Sequence, residues 1–385
     1  MSKTVVDRDG YIFLPPDYRG VEVVLESGAE GLALWRARPD VRRVYIEVTT
    51  RCNLNCAICV RQAWRDRPGE MGWETFAAAM EQLRAFPDLR RITFGGFGEP
   101  LAHPRIADMV AAAGSLGVGI TLTTNGLLLA RPVAEALLEA RVDTVVVSVD
   151  TAHLRAYEQA HIPHGLDAVL DNVRGLRDLA AARGLMVPRI GLEYVVTRSN
   201  VAELSRLPAL ARDLGASFSL VTNLLPHTPE MAGDILYDRD EPLPVPAGWP
   251  LPSGDWLVWG IVRLPRLKWG AWRRCQFVEE RSLVIGWDGG VSPCYALMHS
   301  YPYYIYRRRK EVSRYVLGRV SERSLVEIWT SEEYVKFRAR AREFRYPSCV
   351  DCGMACALAA RNEDCWGNAP SCADCLWAQN VIRCP

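Results

Sequence analysis

Apolar positions follow two rhythms along this chain. Short runs rich in β-branched residues occur at 44–50 (VYIEVTT), 91–96 (RITFGG), 118–124 (VGITLTT), 143–150 (DTVVVSVD), 189–197 (RIGLEYVVT) and 217–223 (SFSLVTN). Their length, and the turn residues around them, predict buried strands. Between them, helical periodicity predicts helices near 73–85, 104–114, 132–139, 165–183 and 201–213. Strands alternating with helices predict a parallel sheet with crossover helices, an α/β fold. Six such units fit an open doubly wound sheet or an incomplete (β/α) barrel, and both place their chemistry at the C-terminal ends of the strands. Residues 1–41 read as a short β-rich appendage and 42–225 as the βα array. In 226–270 the alternation is lost and Pro and Trp gather (PLPVPAGWPLPSGDWLVWG), which predicts an irregular connection to a cysteine-rich region at 271–385.

Charge narrows the partners. In 385 residues, 46 Lys and Arg stand against 45 Asp and Glu, a net charge of +1, which argues against a nucleic-acid binder or a polybasic membrane protein. No run of 18 or more apolar residues occurs, and the first residues lack a secretory pattern, so the expectation is a cytoplasmic protein without membrane association. The 12 cysteines then need explaining, because a reducing cytosol keeps thiols free. Metal or redox chemistry is the default reading.

Cys52, Cys56 and Cys59 form C-x3-C-x2-C directly after the first predicted strand. Three close thiolates on a loop can hold three irons of a 4Fe–4S cubane and leave the fourth open to a ligand. A zinc knuckle is the alternative, but it favours paired C-x2-C and a fourth ligand, which nothing nearby supplies. With this motif in place, the sequence resembles the radical S-adenosylmethionine (SAM) superfamily, which implies a partial (β/α)6 TIM-like barrel. GGFGEP (Gly95 to Pro100), after the second strand, is similar to that family's Gly-Gly-Glu-Pro motif and implies that Gly96, Gly98 and Glu99 bind the amino group of SAM. TTNG (Thr123 to Gly126), SVD (Ser148 to Asp150) and GLEYVVTRSN (Gly191 to Asn200) fall where the family surrounds the rest of SAM, implicating Asn125, Ser148, Asp150, Glu193 and Arg198. Ile58 departs from the family's usual aromatic residue and weakens an adenine contact there. The implied chemistry is reductive cleavage of SAM to a 5′-deoxyadenosyl radical that abstracts hydrogen from a substrate.

Nine further cysteines lie towards the end of the chain: Cys275, Cys294, Cys349, Cys352, Cys356, Cys365, Cys372, Cys375 and Cys384. Thirteen residues separate Cys275 from Gly289, and four separate Gly289 from Cys294. This resembles the opening of the SPASM domain, the auxiliary-cluster extension of radical SAM enzymes. Two further 4Fe–4S clusters need eight thiolates, and nine are present. The spacing of the tail departs from the SPASM pattern, and Cys349-x2-Cys352 with Cys372-x2-Cys375 also fits a zinc site, so one auxiliary cluster plus zinc is the alternative.

The segments 221–231, 292–310, 318–338 and 364–385 look like those of the radical SAM maturases associated with tungsten-dependent aldehyde oxidoreductases. That resemblance implies an electron donor such as ferredoxin or flavodoxin, and an apoprotein or peptide substrate linked to a tungsten oxidoreductase. Two alternatives stand beside it: a maturase that forms thioether or C–C crosslinks in ribosomal peptides, and a non-catalytic iron–sulfur or zinc protein of electron transfer or assembly. Asn223, His227, Tyr295 and His299 are candidates to face a substrate. The stretch 301–310 (YPYYIYRRRK) reads either as an aromatic, basic binding surface or as an amphipathic edge with snorkelling arginines.

Overall fold

The computed structural model describes the chain apart from residues 1–4, 7–10, 14–22, 29–30, 37, 150–164, 240–260, 271, 307, 353–355 and 357. The first 41 residues contain four short strands, β1 (Val5–Val6), β2 (Tyr11–Phe13), β3 (Val23–Gly28) and β4 (Gly31–Arg36), which pair antiparallel in that order.

The core is a ten-stranded sheet. Its centre is β5 (Arg43–Ile46), β6 (Arg91–Phe94), β7 (Gly119–Thr124), β8 (Thr144–Ser148), β9 (Arg189–Val196) and β10 (Phe218–Asn223), each parallel to the next. Every strand adds on the same side as the one before it, so the order never reverses. A doubly wound sheet requires such a reversal, and the barrel-type arrangement is what remains. The joining helices are α1 (Trp73–Leu83), α2 (Ile106–Gly114), α3 (Arg131–Glu139), α4 (Gly165–Ala182) and α5 (Leu207–Leu214). Their buried positions carry the expected period: α1 buries Phe76, Ala79, Met80 and Leu83, and α4 buries Val169, Val173, Leu176 and Ala180. Strands such as TVVVS of β8 are buried nearly throughout, as strands covered by helices must be.

Both edges of the barrel sheet are extended by the later chain. β11 (Ile261–Arg263) pairs parallel with β10, a strand that the Pro- and Trp-rich composition of 226–270 hid; the same stretch holds the short α6 (Pro229–Ala232). On the other edge, after α7 (Gln276–Glu279), β12 (Ser282–Ile285) pairs parallel with β5. β13 (Gly290–Ser292) and β16 (Gly318–Arg319) follow antiparallel. Between them, β14 (Tyr301–Ile305) and β15 (Arg308–Val312) form a hairpin, and α8 (Leu325–Trp329) and α9 (Glu332–Glu343) follow. β11 and β12 do not pair with each other, so the barrel is open on that side. The segment 380–385 spans the gap. Asn223 donates from its backbone to Val381 O (3.3 Å), Arg383 donates to Thr222 Oγ1 (2.9 Å), and the Tyr45 hydroxyl and Arg43 guanidinium both donate to Pro385 O, the former at 3.2 Å. Among the described residues no helix is long and apolar enough to cross a membrane.

Candidate active site and thiol groups

β5 delivers its chain directly into the loop that carries Cys52, Cys56 and Cys59. Arg61 clamps that loop, donating to Thr50 O (3.0 Å) and Leu54 O (2.9 Å). Cys59 donates from its backbone to Cys56 O (3.0 Å), closing a turn between the two cysteines. Cys52 Sγ accepts from the Leu54 amide (3.4 Å) and from Asn125 Nδ2 (3.7 Å), and the latter group also donates to Asn53 Oδ1 (2.8 Å). Burial raises the Cys52 thiol, with the Leu54 amide opposing.

The loop after β6 is pressed against this one. Gly98 sits so close that a Cβ there would stand 2.1 Å from Thr49 O, and Gly96, at φ +120°, faces Glu47 at a hypothetical Cβ distance of 2.6 Å. Both positions require glycine, for close approach and for a left-handed backbone. Glu99 is 2% exposed, and its carboxylate accepts from Leu101 N (3.0 Å), Thr124 Oγ1 (2.8 Å) and Asn125 N (2.7 Å). The loops after β5, β6 and β7 are thereby bonded into one unit. Beneath it, the buried Glu47 accepts from Phe97 N (3.0 Å) and pairs with His299 (2.7 Å), whose other nitrogen meets Asp66 (3.1 Å). The His299 ring stacks on Trp64 at 3.9 Å, and Phe97 meets Trp64 edge-on.

Cys52, Cys56, Cys59, Gly96, Gly98, Glu99, Asn125, Ser148 and Glu193 all line one cavity of about 280 Å³ at the C-terminal ends of the strands. Asn223 and Tyr295 line it too, whereas His227 is buried outside that lining and His299 lies under the loops as described. Asp150 lies outside the described residues. Arg198 is apart from the rest: it donates to Ile235 O (2.9 Å) and borders a second cavity. In 301–310, Tyr301, Tyr303 and Ile305 are buried, Tyr304 and Tyr306 border the second cavity, and Arg308 and Lys310 both pair with the buried Asp374.

The later thiols separate in space. Cys349, Cys352, Cys356 and Cys365 line the second cavity together. Cys275, Cys294, Cys372 and Cys375 form another group: burial pushes the Cys294 thiol well up, and Cys275, Cys375 and Cys372 push it further. Cys372 is likewise raised by burial and then by Cys375 and Cys275. Cys384 joins neither set and lines the cavity of Cys52, Cys56 and Cys59. Among the described residues no three His, Cys, Asp or Glu side chains converge closely enough to hold a single metal ion.

Residues 46–193 match the radical SAM superfamily, and residues 275–353 match SPASM, an iron–sulfur cluster-binding domain. Over 352 residues the chain is 39% identical to the tungsten-containing aldehyde ferredoxin oxidoreductase cofactor-modifying protein of Pyrococcus furiosus, covering 90% of this chain and 97% of that one. The chain belongs to the radical SAM superfamily. Its SPASM extension makes it one of the members with auxiliary iron–sulfur clusters. The PqqA peptide cyclase of Gluconobacter oxydans is 34% identical over 173 residues, 44% of this chain and 46% of its own length. In fold, the chain resembles SuiB of Streptococcus suis bound to S-adenosylmethionine, with a TM-score of 0.53 at 14% identity over 82% of this chain and 71% of that one.

The radical SAM cavity fits its cofactors on its own terms. Three thiols on one clamped loop line it together, a donor set suited to the irons of an iron–sulfur cluster. The glycines at 96 and 98 line the cavity with no side chain and let the loop after β6 pack against Glu47 and Thr49 of the thiol loop. Trp377 and Arg383 carry no local sequence signature and reach the cavity only because the chain folds back onto the barrel. Glu47 did carry a signal, being an acidic residue inside an otherwise apolar strand run.

Proposed function

We propose that this radical SAM enzyme acts in the maturation of a tungsten-cofactor oxidoreductase. In this reading Cys52, Cys56 and Cys59 hold three irons of a 4Fe–4S cluster, and Gly96, Gly98, Glu99, Asn125, Ser148 and Glu193 enclose SAM. When bound, the cluster and SAM supply a one-electron cleavage that yields a hydrogen-abstracting 5′-deoxyadenosyl radical. The observation that carries it is the convergence of all nine of those residues on one cavity at the strand ends. The residues' own work is positional. Arg61 fixes the thiol loop, the Asn125 amide bonds the Cys52 sulfur, and the buried Glu99 carboxylate is pre-set to receive an ammonium group. The tail and the aromatic rings of Phe97 and Tyr295 restrict water at the place where a radical would form.

Two auxiliary clusters are part of the proposal, one on Cys275, Cys294, Cys372 and Cys375 and one on Cys349, Cys352, Cys356 and Cys365. Each quartet supplies the four thiolates that a closed cubane needs, and a cubane is wider than a single zinc ion. A ferredoxin- or flavodoxin-type donor would provide the electrons. The tungsten reading rests on similarity along nearly the whole chain, whereas the PqqA peptide cyclase matches less than half of it, so crosslinking of a ribosomal peptide is the second reading.

Anaerobic protein reconstituted with iron and sulfide, then given SAM and dithionite, should release 5′-deoxyadenosine. Cys56→Ala should release none, and a variant cleaving SAM at the wild-type rate would sink the assignment. Incubation with a tungsten oxidoreductase apoprotein should couple deoxyadenosine formation to a mass change in that partner; the same outcome on a short peptide alone would favour the second reading.

A further inference from the structure

Of the 12 cysteines, the loop set and the two quartets leave one, Cys384. It lies on the segment that crosses the open side of the barrel, and its backbone is fixed on both sides. Arg383 N bonds Thr222 Oγ1 at 2.9 Å, and Pro385 O accepts from the Tyr45 hydroxyl at 3.2 Å. The Trp377 indole N–H donates to the Cys384 sulfur at 3.2 Å. The charged groups that act on it most are Glu193, Arg43 and Glu280, which surround the barrel rather than the second cavity. A second feature of the same cavity is independent of the thiol. Asn223 is 2% exposed, donates through Nδ2 to Arg266 O (3.2 Å) and Val381 O (3.0 Å), and leaves Oδ1 buried with no partner. An orphaned acceptor lining a cavity is a place for a donor group of a bound molecule.

We propose that Cys384 is a free thiol of the reaction cavity, and that it returns a hydrogen atom to a carbon-centred substrate radical formed there. The proposal rests on the radical SAM reading of this cavity and adds a residue to it. The S–H bond breaks homolytically as a C–H bond forms on the substrate, which leaves a thiyl radical on Cys384. One electron from a low-potential one-electron donor, the class of reductant that SAM cleavage already consumes, and one proton from water restore the thiol. One hydrogen is removed from the substrate and one is returned, so the substrate is rearranged or inverted without net oxidation. Burial supports the role: it pushes the Cys384 thiol up to about 12, against the Trp377 hydrogen bond, so the sulfur keeps its hydrogen at neutral pH.

The test uses the full reconstituted chain in D2O with SAM and dithionite and no added substrate, so that the nearest exchangeable donor in the cavity quenches the radical. Deoxyadenosine from the wild type should carry one deuterium, and that from Cys384→Ser or Cys384→Ala should lack most of the label. Iron content is the second readout. Both Cys384 variants should retain the wild-type iron and the same electron paramagnetic resonance signals, while Cys375→Ala should lose about four irons per chain. A Cys384 variant that loses about four irons is a ligand variant, and one that keeps the wild-type label is not the donor; either result overturns the proposal. Wild-type protein that releases no deoxyadenosine at all defeats the radical SAM reading and this inference with it.

Discussion

His299 shows how one side chain holds the site together. Burial pushes its imidazole down, but the Glu47 charge and the hydrogen bond to Asp66 outweigh that and leave it above its ordinary value. Asp66 is raised by burial and lowered further by His299 and the Ser300 amide, so it ends below the usual carboxylate range. Both partners of the Glu47–His299 pair are buried, so His299→Ala should cost about 3–5 kcal/mol by leaving the carboxylate uncompensated. Because the folded imidazole titrates above its unfolded value of about 6.5, the stabilisation is complete below that pH and is lost as pH rises through the folded value. The gap in melting temperature between wild type and His299→Ala should therefore narrow in alkaline buffer; a gap that widens there would contradict the pairing. Asp66 acts with the opposite sign, its contribution fading as pH falls below about 3.9. Gly98 makes a different kind of prediction. A methyl group 2.1 Å from Thr49 O cannot be accommodated by backbone, so Gly98→Ala must push apart the loops after β5 and β6. Equilibrium dialysis should show SAM affinity falling further than the melting temperature does, since the core strands beneath are untouched.

At the scale of an element, the β14–β15 hairpin is held by charge as well as by its buried tyrosines. Lys310 and Asp374 are each about 1% exposed, and Arg308 joins them on the same carboxylate. Asp374 stands between Cys372 and Cys375 in the chain, so this ion group ties the hairpin to one thiol quartet. Asp374→Ala leaves a buried ammonium alone and should cost about 3–5 kcal/mol, whereas Lys310→Met, which leaves Arg308 on Asp374, should cost less. Urea unfolding of the two variants measures the difference, and equal losses would mean that Arg308 does not compensate. The alternation of apolar positions already reported the barrel strands and helices, because each buried face repeats locally at the period of its own element. It did not report β11, whose pairing with β10 owes nothing to the Pro- and Trp-rich composition around it.

At the scale of the whole molecule, the later chain completes the barrel instead of standing beside it. β12 adds to β5, β11 adds to β10, and the segment 380–385 crosses the gap that they leave. One thiol quartet is likewise assembled from distant stretches, Cys275 and Cys294 with Cys372 and Cys375. Cys275→Ala and Cys365→Ala should each lose about four irons from a wild-type content of about 12 per chain. A loss of one metal per variant, accompanied by zinc in the wild type, would point to a tetrahedral zinc site instead.

By itself the sequence determined what is encoded locally: the six parallel strands and the five helices that join them, the C-x3-C-x2-C loop at the end of the first strand, and the glycines and Glu99 of the loop after the second. A thiol motif and a strand period are both properties of neighbouring residues, so they survive without knowledge of the fold. The tertiary structure decided the partition of the nine later thiols, the placement of Arg198 away from the cavity and of Cys384 within it, and the pairing of Glu47 with His299 across 252 residues. Those depend on which distant segments the closing of a barrel brings together, and spacing along a chain carries no measure of distance through space.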